Sequence, residues 1–266
     1  MIEVDANFQK KLGSDKTFQY FMNIQGELYR NMNGRKTLRF YLGNDGFFIK
    51  QHFGVGWKEI FKNLSQLKLP VIGALTEYKA INFLHNLGID TMDIVGFSQK
   101  GVNPAALKSF LITKELDHTT SLEDYCAHWP EQSPSYKEKQ LLLKKVAEIV
   151  KKIHKNGLNH RDLYICHFLL RKNNEEADKD SRLFLIDLHK AQIREKVPER
   201  WIIKDLSALY FSAMHIGLTN RDFLRFVKIY RGQTLRSIFS IEAGFWEKVA
   251  RKADDLDAMP DHKKKT

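Results

Sequence analysis

The chain has 266 residues, enough to bury a sizeable core as one large domain or two modest lobes, and its 43% hydrophobic and 28% charged residues exclude a disordered polypeptide. Lysine and arginine number 43 against 32 acids, a formal charge of +11. That balance favours an anionic partner (nucleotide, nucleic acid, anionic lipid or acidic protein) without choosing among them. In chain order, the first elements predicted form a three-stranded meander. Glu27-Leu28-Tyr29-Arg30 reads as a strand and Asn33-Gly34 as a hairpin turn. Thr37 to Leu42 is the second strand, Asn44-Asp45-Gly46 the second turn, and Phe47-Phe48-Ile49-Lys50 the third strand, with a lysine at the end of an aromatic run. Trp57, Ile60, Phe61, Leu64 and Leu67 then lie on one face of a helix, with Lys58 and Lys62 off it and Pro70 as its stop. The expectation is that this face packs on the N-terminal half; contact with an anionic membrane or a lipid-linked acceptor is the alternative. A second helix runs from about Thr76 to Leu87 and is capped by Gly88. Phe110 to Thr113 reads as a short buried strand.

From about residue 117 the pattern turns helical. A short helix starts at Ser121, and Pro130 to Pro134 is a loop. Ser135-x-x-Glu138 is a capping box opening a long helix with the stripe Leu142, Val146, Ile149, Val150 and Ile153, ended by Asn156-Gly157. Two short strands follow, Phe168–Leu170 and Leu183–Ile186, separated by the charged insert Asn173–Asp180, read as an exposed hairpin loop. Several packed helices fill about 203 to 253, and the tail Asp261–Thr266 is expected to fray. A strand-rich first half and a helical second half predict an α+β fold in two lobes, residues 1–116 and 117–266, within a single domain. Two cysteines, Cys126 and Cys166, with no CxxC pair argue against a disulfide scaffold or a thiolate zinc site. His154, His160, His167 and His189 match no familiar zinc spacing. No leader pattern opens the chain and no apolar run approaches a membrane span, so a cytosolic chain is expected, with peripheral contact to the cytoplasmic face of a membrane left open.

The chemistry concentrates in Asn159-His160-Arg161-Asp162-Leu163-Tyr164-Ile165-Cys166-His167, between the long helix and a short strand. It resembles the protein-kinase catalytic loop, H-R-D-x-x-x-x-N, with His167 in the place of Asn. Downstream, Leu185-Ile186-Asp187-Leu188-His189 resembles the strand leading into D-F-G, with the aspartate kept. Upstream, Phe48-Ile49-Lys50 resembles the lysine strand, and Glu77 on the next helix is its candidate partner. Phosphoryl transfer needs charge neutralisation and in-line positioning more than covalent catalysis. The resemblance thus implies that Lys50, oriented by Glu77, holds the α- and β-phosphates of ATP. Asp187, with His167 as a second candidate ligand, holds Mg²⁺. Asp162 accepts the proton of the attacking hydroxyl, and Arg161 pairs with a nearby charge and holds the loop. The glycine-rich phosphate loop is absent; Gly34, Arg35 and Lys36 stand there instead. The adenine is expected against the linker Thr113–Leu116, which includes Glu115, with ATP between the lobes.

The resemblance extends to a narrower family. Gln25 to Arg30, Arg35 to Arg39, Asn159 to Leu170, Ile186 to Gln192 and the stretch Lys204 to Ser212 are similar to the lipopolysaccharide core heptose(I) kinases of Gram-negative bacteria, over about residues 20 to 240. His167 and the Asp-Leu-His run belong to that family's pattern. It implies ATP- and Mg²⁺-dependent phosphorylation of the first heptose of lipid A-linked core oligosaccharide at the cytoplasmic side of the inner membrane. It also suggests that Asp205 anchors the catalytic loop, although an acid near the start of a helix explains Asp205 equally well. The alternatives are a protein (tyrosine) kinase, an aminoglycoside-type phosphotransferase, and a pseudokinase that only binds a partner. An acidic protein such as a carrier protein is a further candidate partner. No nucleic-acid-binding fold is visible.

Overall fold

The computed structural model describes residues 2–13, 16–32, 34–65, 70–172 and 177–259. Asn33 of the first turn, Leu67 of the amphipathic helix, the start of the charged insert at 173–176 and the tail from 260 lie outside them. The chain divides into two compact units, one made of residues 1–83, 92–117 and 188–190, the other of 84–91, 118–187 and 191–266. The elements are mixed α and β, as the α+β expectation has it.

The first unit contains β1 (Ile2–Val4), α1 (Ala6–Leu12), α2 (Phe18–Met22), β2 (Glu27–Met32), β3 (Arg35–Leu42), β4 (Asp45–His52), α3 (Gly56–Ser65), the start of α4 (Leu75–Asn86), β5 (Ile94–Lys100) and β6 (Lys108–Lys114). Its strands form one antiparallel sheet in the order β1-β5-β6-β4-β3-β2. The expected meander is its β2-β3-β4 half. Successive side chains of a strand face opposite ways, and here the two faces differ in chemistry. One carries Leu38 and Phe40 of β3, Phe47 and Ile49 of β4, and Phe110 and Ile112 of β6, covered by Phe8 of α1 and Phe21 and Met22 of α2. Asp5 caps α1 by accepting from the Asn7 and Phe8 N–H groups, and Thr17 caps α2 through the Tyr20 N–H. The other face carries the polar residues of the candidate site.

Helix α3 departs from its expected packing. Ile60 is buried, but Trp57, Phe61 and Leu64 are 50%, 62% and 47% exposed. The apolar face of the sheet is already filled by α1 and α2; α3 lies against the turn at Pro104–Ala106, and most of its apolar stripe stays outside the core.

The second unit contains β7 (Thr119–Ser121), α5 (Leu122–Cys126), α6 (Tyr136–Lys155), β8 (Leu158–Asn159), β9 (Phe168–Arg171), β10 (Arg182–Leu185), β11 (Gln192–Ile193), α7 (Glu199–Ala213), α8 (Asn220–Arg231) and α9 (Leu235–Asp257). Small antiparallel sheets, β10-β9-β7 and β11-β8, flank the helices. Leu142, Val146, Val150 and Ile153 of α6 are buried, and α6 packs on α8 while α7 packs on α9. Ser135 caps α6 by accepting from the Glu138 N–H at 3.2 Å. The Glu138 carboxylate is drawn into the interior instead of staying at the surface: it takes the Tyr125 hydroxyl and, at 3.1 Å, the Ala177 N–H. Thr91 and Asp90 tie the 84–91 segment to β10, through Thr91 Oγ1 to the Leu185 carbonyl at 2.6 Å and the Leu185 N–H to the Asp90 carbonyl at 2.9 Å.

Candidate active site

Register places Lys50 opposite Thr37 on one side and Leu111 on the other, on the sheet face that α1 and α2 do not cover. Its Nζ donates to Glu77 Oε1 of α4 at 2.6 Å. The Glu77 carboxylate is 2% exposed, the Lys50 side chain 22%. A carboxylate that deeply buried needs a cation, and the pair leaves the ammonium partly open on the polar face. The expected pairing is therefore present. His52 shares this face. Burial, reinforced by the Arg35 and Lys50 charges, pushes its pKa down to about 3, so it stands neutral beside the cations.

The same register divides the residues expected to replace a glycine-rich loop. Arg35 pairs with His52 and so shares the face of Lys50; Lys36 pairs with Gln51, on the face of Leu38 and Ile49. Only Arg35 is placed on the same face as Lys50. Gly34 has φ of 72° and accepts the Phe53 N–H at 2.8 Å, and a Cβ there would lie 2.3 Å from the Gly54 carbonyl oxygen. The turn thus requires glycine for its conformation and its close approach. The Glu115 carboxylate is an ion-pair partner within the sheet. It accepts from Arg39 Nη2 at 2.7 Å and Nε at 3.1 Å, a bidentate pair, and the Glu115 N–H donates to the Gly46 carbonyl at 2.9 Å. Glu115 therefore closes the β4–β6 end of the sheet, and its carboxylate is engaged before any nucleotide arrives.

In the second unit the loop after β8 is held from below by Asp205. This residue is 0% exposed and lies in the middle of α7; the alternative of an acid near a helix start is overturned because α7 begins at Glu199. Asp205 Oδ2 accepts the His160 N–H at 2.7 Å and Oδ1 the Arg161 N–H at 2.7 Å, and His154 Nε2 lies 3.2 Å from Oδ2. One carboxylate thereby fixes two successive peptide units. Arg161 is held at φ of 70°, a region that side-chain-bearing residues seldom occupy. Its guanidinium lies 5.0 Å over the Trp201 ring, a cation–π contact, its Nε makes no hydrogen bond, and the nearby Asp205 and Asp162 charges favour its cationic form. His160 is held neutral by burial. Its Nε2 donates to the Ile186 carbonyl at 2.9 Å.

Asp187 follows Ile186 and also has positive φ, 60°. His167 lies between Asp162 and Asp187. Its Nδ1 lies 2.7 Å from the Asp162 carbonyl oxygen, which can only accept, so the proton is on Nδ1. Its Nε2 then faces Asp187 Oδ2 at 3.5 Å. The side chains of Asp162, His167 and Asp187 are all partly exposed. The carboxylates offer the oxygen donors that Mg²⁺ prefers, so the residues present fit that ion. Cys166 is half-buried, and burial pushes its thiol up to about 12, which removes it as a nucleophile at neutral pH. His52, buried on the face of Lys50, is a residue of the site that the sequence reading did not single out.

The second unit also holds a half-open apolar pocket of ≈ 420 Å³ among α5 to α9, lined by Leu122, Trp129, Val146, Leu209, Phe226 and Trp246 among others. The Trp246 indole N–H, on its wall, has no hydrogen-bond partner.

Residues 19–230 match the model of the lipopolysaccharide kinase (Kdo/WaaP) family. The lipopolysaccharide core heptose(I) kinase WaaP of Escherichia coli K12 is 46% identical over 256 residues, covering 96% of this chain and 97% of that protein. WaaP of Pseudomonas aeruginosa PAO1 is 45% identical over 95% of this chain and 94% of its own. A solved structure described as WaaP in complex with acyl carrier protein superposes with a TM-score of 0.82 at 39% identity, covering 96% of this chain and 98% of that one. With a fold shared over nearly its whole length and a family model spanning most of it, the chain belongs to the lipopolysaccharide kinase (Kdo/WaaP) family.

Proposed function

We propose that the chain transfers the γ-phosphoryl group of ATP to a hydroxyl of the first heptose of lipid A-linked core oligosaccharide, at the cytoplasmic face of the inner membrane. The observation that carries this reading is identity near 45% over almost the full length of proteins that bear this activity in their names, which favours it over protein kinases and aminoglycoside-type enzymes. Retention of Lys50, Asp162 and Asp187 in the local settings described above argues against a pseudokinase.

Lys50, oriented by Glu77, binds the α- and β-phosphates, and Arg35 adds positive charge on the same face. Asp162 orients the heptose hydroxyl and takes its proton as the new O–P bond forms and ADP leaves. Asp205 keeps Asp162 in register by fixing the two peptide units before it. Asp187 would hold Mg²⁺ through a carboxylate oxygen, and His167, with Nε2 beside that oxygen, is the second candidate ligand. When bound, that ion neutralises the charge on the phosphate oxygens. The test is mass spectrometry of core oligosaccharide after incubation with the protein and Mg-ATP. One phosphate gained on heptose is expected with wild type and none with Asp162→Ala; wild-type turnover by the variant would remove Asp162 from its role.

A carrier protein is the proposed protein partner. The structural relative solved with acyl carrier protein suggests it, and the apolar cavity of the second unit supports it, since its lining suits an acyl chain. Native mass spectrometry should find acylated carrier protein on the wild type and lose it when Ala250, on the cavity wall, is replaced by Phe. Equal retention of the carrier protein by both would reject the cavity as its acyl site.

A further inference from the structure

Among the described residues no helix is long and apolar enough to cross a membrane, yet a lipid-linked acceptor sits in one. The feature that answers this need is α3. At 3.6 residues per turn, Trp57, Phe61 and Leu64 fall within about 60° of one another. The Trp57 and Phe61 rings stack on each other, with centroids 5.8 Å apart, and both stay largely in solvent. Ile60, on the adjoining edge of the helix, is buried and fixes its orientation. Phe53, just before the helix, is exposed as well.

The neighbouring turn extends the patch. Gly54 approaches the chain at Ala105 and Ala106 so closely that a Cβ would lie 2.7 Å from the Ala105 carbonyl oxygen. This contact sets α3 beside the β5–β6 connection, where Val102 is 98% exposed. Lys100 and Lys108 flank that connection and pair with each other across the two strands, and Lys58 and Lys62 flank the aromatic face on α3. Over residues 54–65 and 99–108 there are four lysines against one acid, Glu59. Exposed aromatic and aliphatic side chains rimmed by lysines make the chemical signature of a surface that lies in the headgroup layer of an anionic bilayer. A tryptophan at such a boundary keeps its N–H wet and its ring in the apolar layer.

We propose that α3, together with the β5–β6 connection, is a membrane-docking surface. Trp57, Phe61, Leu64 and Val102 insert at the level of the headgroups, and Lys58, Lys62, Lys100 and Lys108 bind anionic lipid. The proposal rests on the heptose-kinase reading only for the identity of the membrane. The lysines rim the apolar face instead of covering it, and this charge pattern favours an anionic lipid surface over a second copy of this equally basic chain.

The test is sedimentation of the full chain with vesicles of phosphatidylethanolamine and phosphatidylglycerol, and with neutral phosphatidylcholine vesicles. Wild type should bind the anionic vesicles, and binding should weaken as salt shortens the screening length. Trp57→Ser with Phe61→Ser should weaken it by more than about tenfold, the equivalent of burying one aromatic side chain. Brominated lipid should quench Trp57 fluorescence, and Trp57→Phe should bind as wild type while losing that quenching. Activity on soluble, deacylated core oligosaccharide should be unchanged in the serine variant and reduced on lipid-embedded acceptor. Failure of wild type to bind anionic vesicles, or equal binding by the serine variant, overturns the proposal. So does loss of self-association or of carrier-protein binding in that variant with vesicle binding intact, which would give the face to a protein. Vesicle binding without phosphate transfer to heptose would instead overturn the functional reading and leave the docking surface standing.

Discussion

Asp205→Asn tests the carboxylate that fixes the main chain just before Asp162. The carboxylate accepts two main-chain N–H groups, both at 2.7 Å, in a setting without solvent. A hydrogen bond to a charged group contributes about 1.5–3 kcal/mol. Asparagine keeps one acceptor oxygen and turns an NH₂ group toward the other donor, so one bond is lost and one buried N–H is left facing another. The expected cost is about 3 kcal/mol, which in a chain of this size lowers the melting temperature by about 6–12 °C. The functional loss should be larger than the loss of folded protein. Arg161 is held at φ of 70°, and conformations of that kind cost about 1–3 kcal/mol unless surroundings enforce them. Freed from Asp205, the peptide at Arg161 relaxes and carries Asp162 with it. Misplacement by about 1 Å costs about 100-fold in rate. The KM for ATP should change little, since Lys50 and Glu77 are untouched. Thermal melts and steady-state kinetics below the lowered melting temperature separate the two effects. A variant that loses the expected stability and keeps its kcat would refute the positioning argument. One that loses neither would refute the account of the buried bonds.

The Lys50–Glu77 pair predicts an asymmetry. Lys50→Met strands a carboxylate that is 2% exposed, so it should cost about 3–5 kcal/mol and lower kcat/KM for ATP by about 1000-fold or more; Glu77→Gln keeps a hydrogen-bond partner for the lysine and should lose less on both measures, and equal losses would contradict the assigned order. Stability should also fall in mild acid. His52 and His160 are both held below the ordinary histidine value by burial, so the unfolded chain binds more protons than the folded one below about pH 6.5 and stability declines as pH drops from there, for His52 down to about pH 3, by up to about 1.4 kcal/mol per pH unit for each group. Urea unfolding between pH 7 and 4.5 should show that slope, and His52→Gln should reduce it by one proton; an unchanged slope would mean that His52 does not titrate on unfolding.

What could be read from the sequence, and what could not, follows from how local each feature is. Lys50 was legible because a lysine ends an aromatic strand bounded by turn residues, and the Asp162 loop because its residues are contiguous. Asp205 was legible only as one of two equal alternatives, because its meaning lies in contacts with residues 44, 45 and 51 positions away. Arg39–Glu115 spans 76 positions, and nothing local tells a linker glutamate that binds a ligand from one that closes a sheet. Helices α1 and α2 did carry cap signals, Asp5 and Thr17, but each is too short for periodicity to reveal. Those two helices decide the fate of α3. Periodicity correctly identifies its apolar stripe, but whether a stripe is buried depends on what else competes for the sheet, and α1 and α2 take that place.

Why histidine stands at 167, where the protein-kinase pattern has asparagine, can be argued from the same geometry. The imidazole has two nitrogens about one ring-width apart. Nδ1 fastens the Asp162 carbonyl at 2.7 Å and Nε2 reaches within 3.5 Å of Asp187. The ring lies nearly parallel to that of His160, with centroids 5.7 Å apart, and His160 grips the Ile186 carbonyl next to Asp187, while the Ile186 N–H returns to the His167 carbonyl at 2.9 Å. The His160 ring and the His167 main-chain carbonyl thus cross-tie the loop bearing Asp162 to the segment before Asp187, whose positive φ needs such enforcement, while the unprotonated Nε2 of His167 turns a lone pair toward Asp187, where a cation would sit. His167→Asn should preserve one tie, since its amide can donate to the Asp162 carbonyl, but it is too short to serve both. His167→Ala preserves neither. The order of kcat should be wild type above asparagine above alanine, and the concentration of Mg²⁺ giving half-maximal rate should rise in both variants. If asparagine matched wild type in both measures, the bridge to Asp187 would have no function. If it fell to the level of alanine with Mg²⁺ dependence unchanged, the ring would act through packing against His160 and not through its nitrogens.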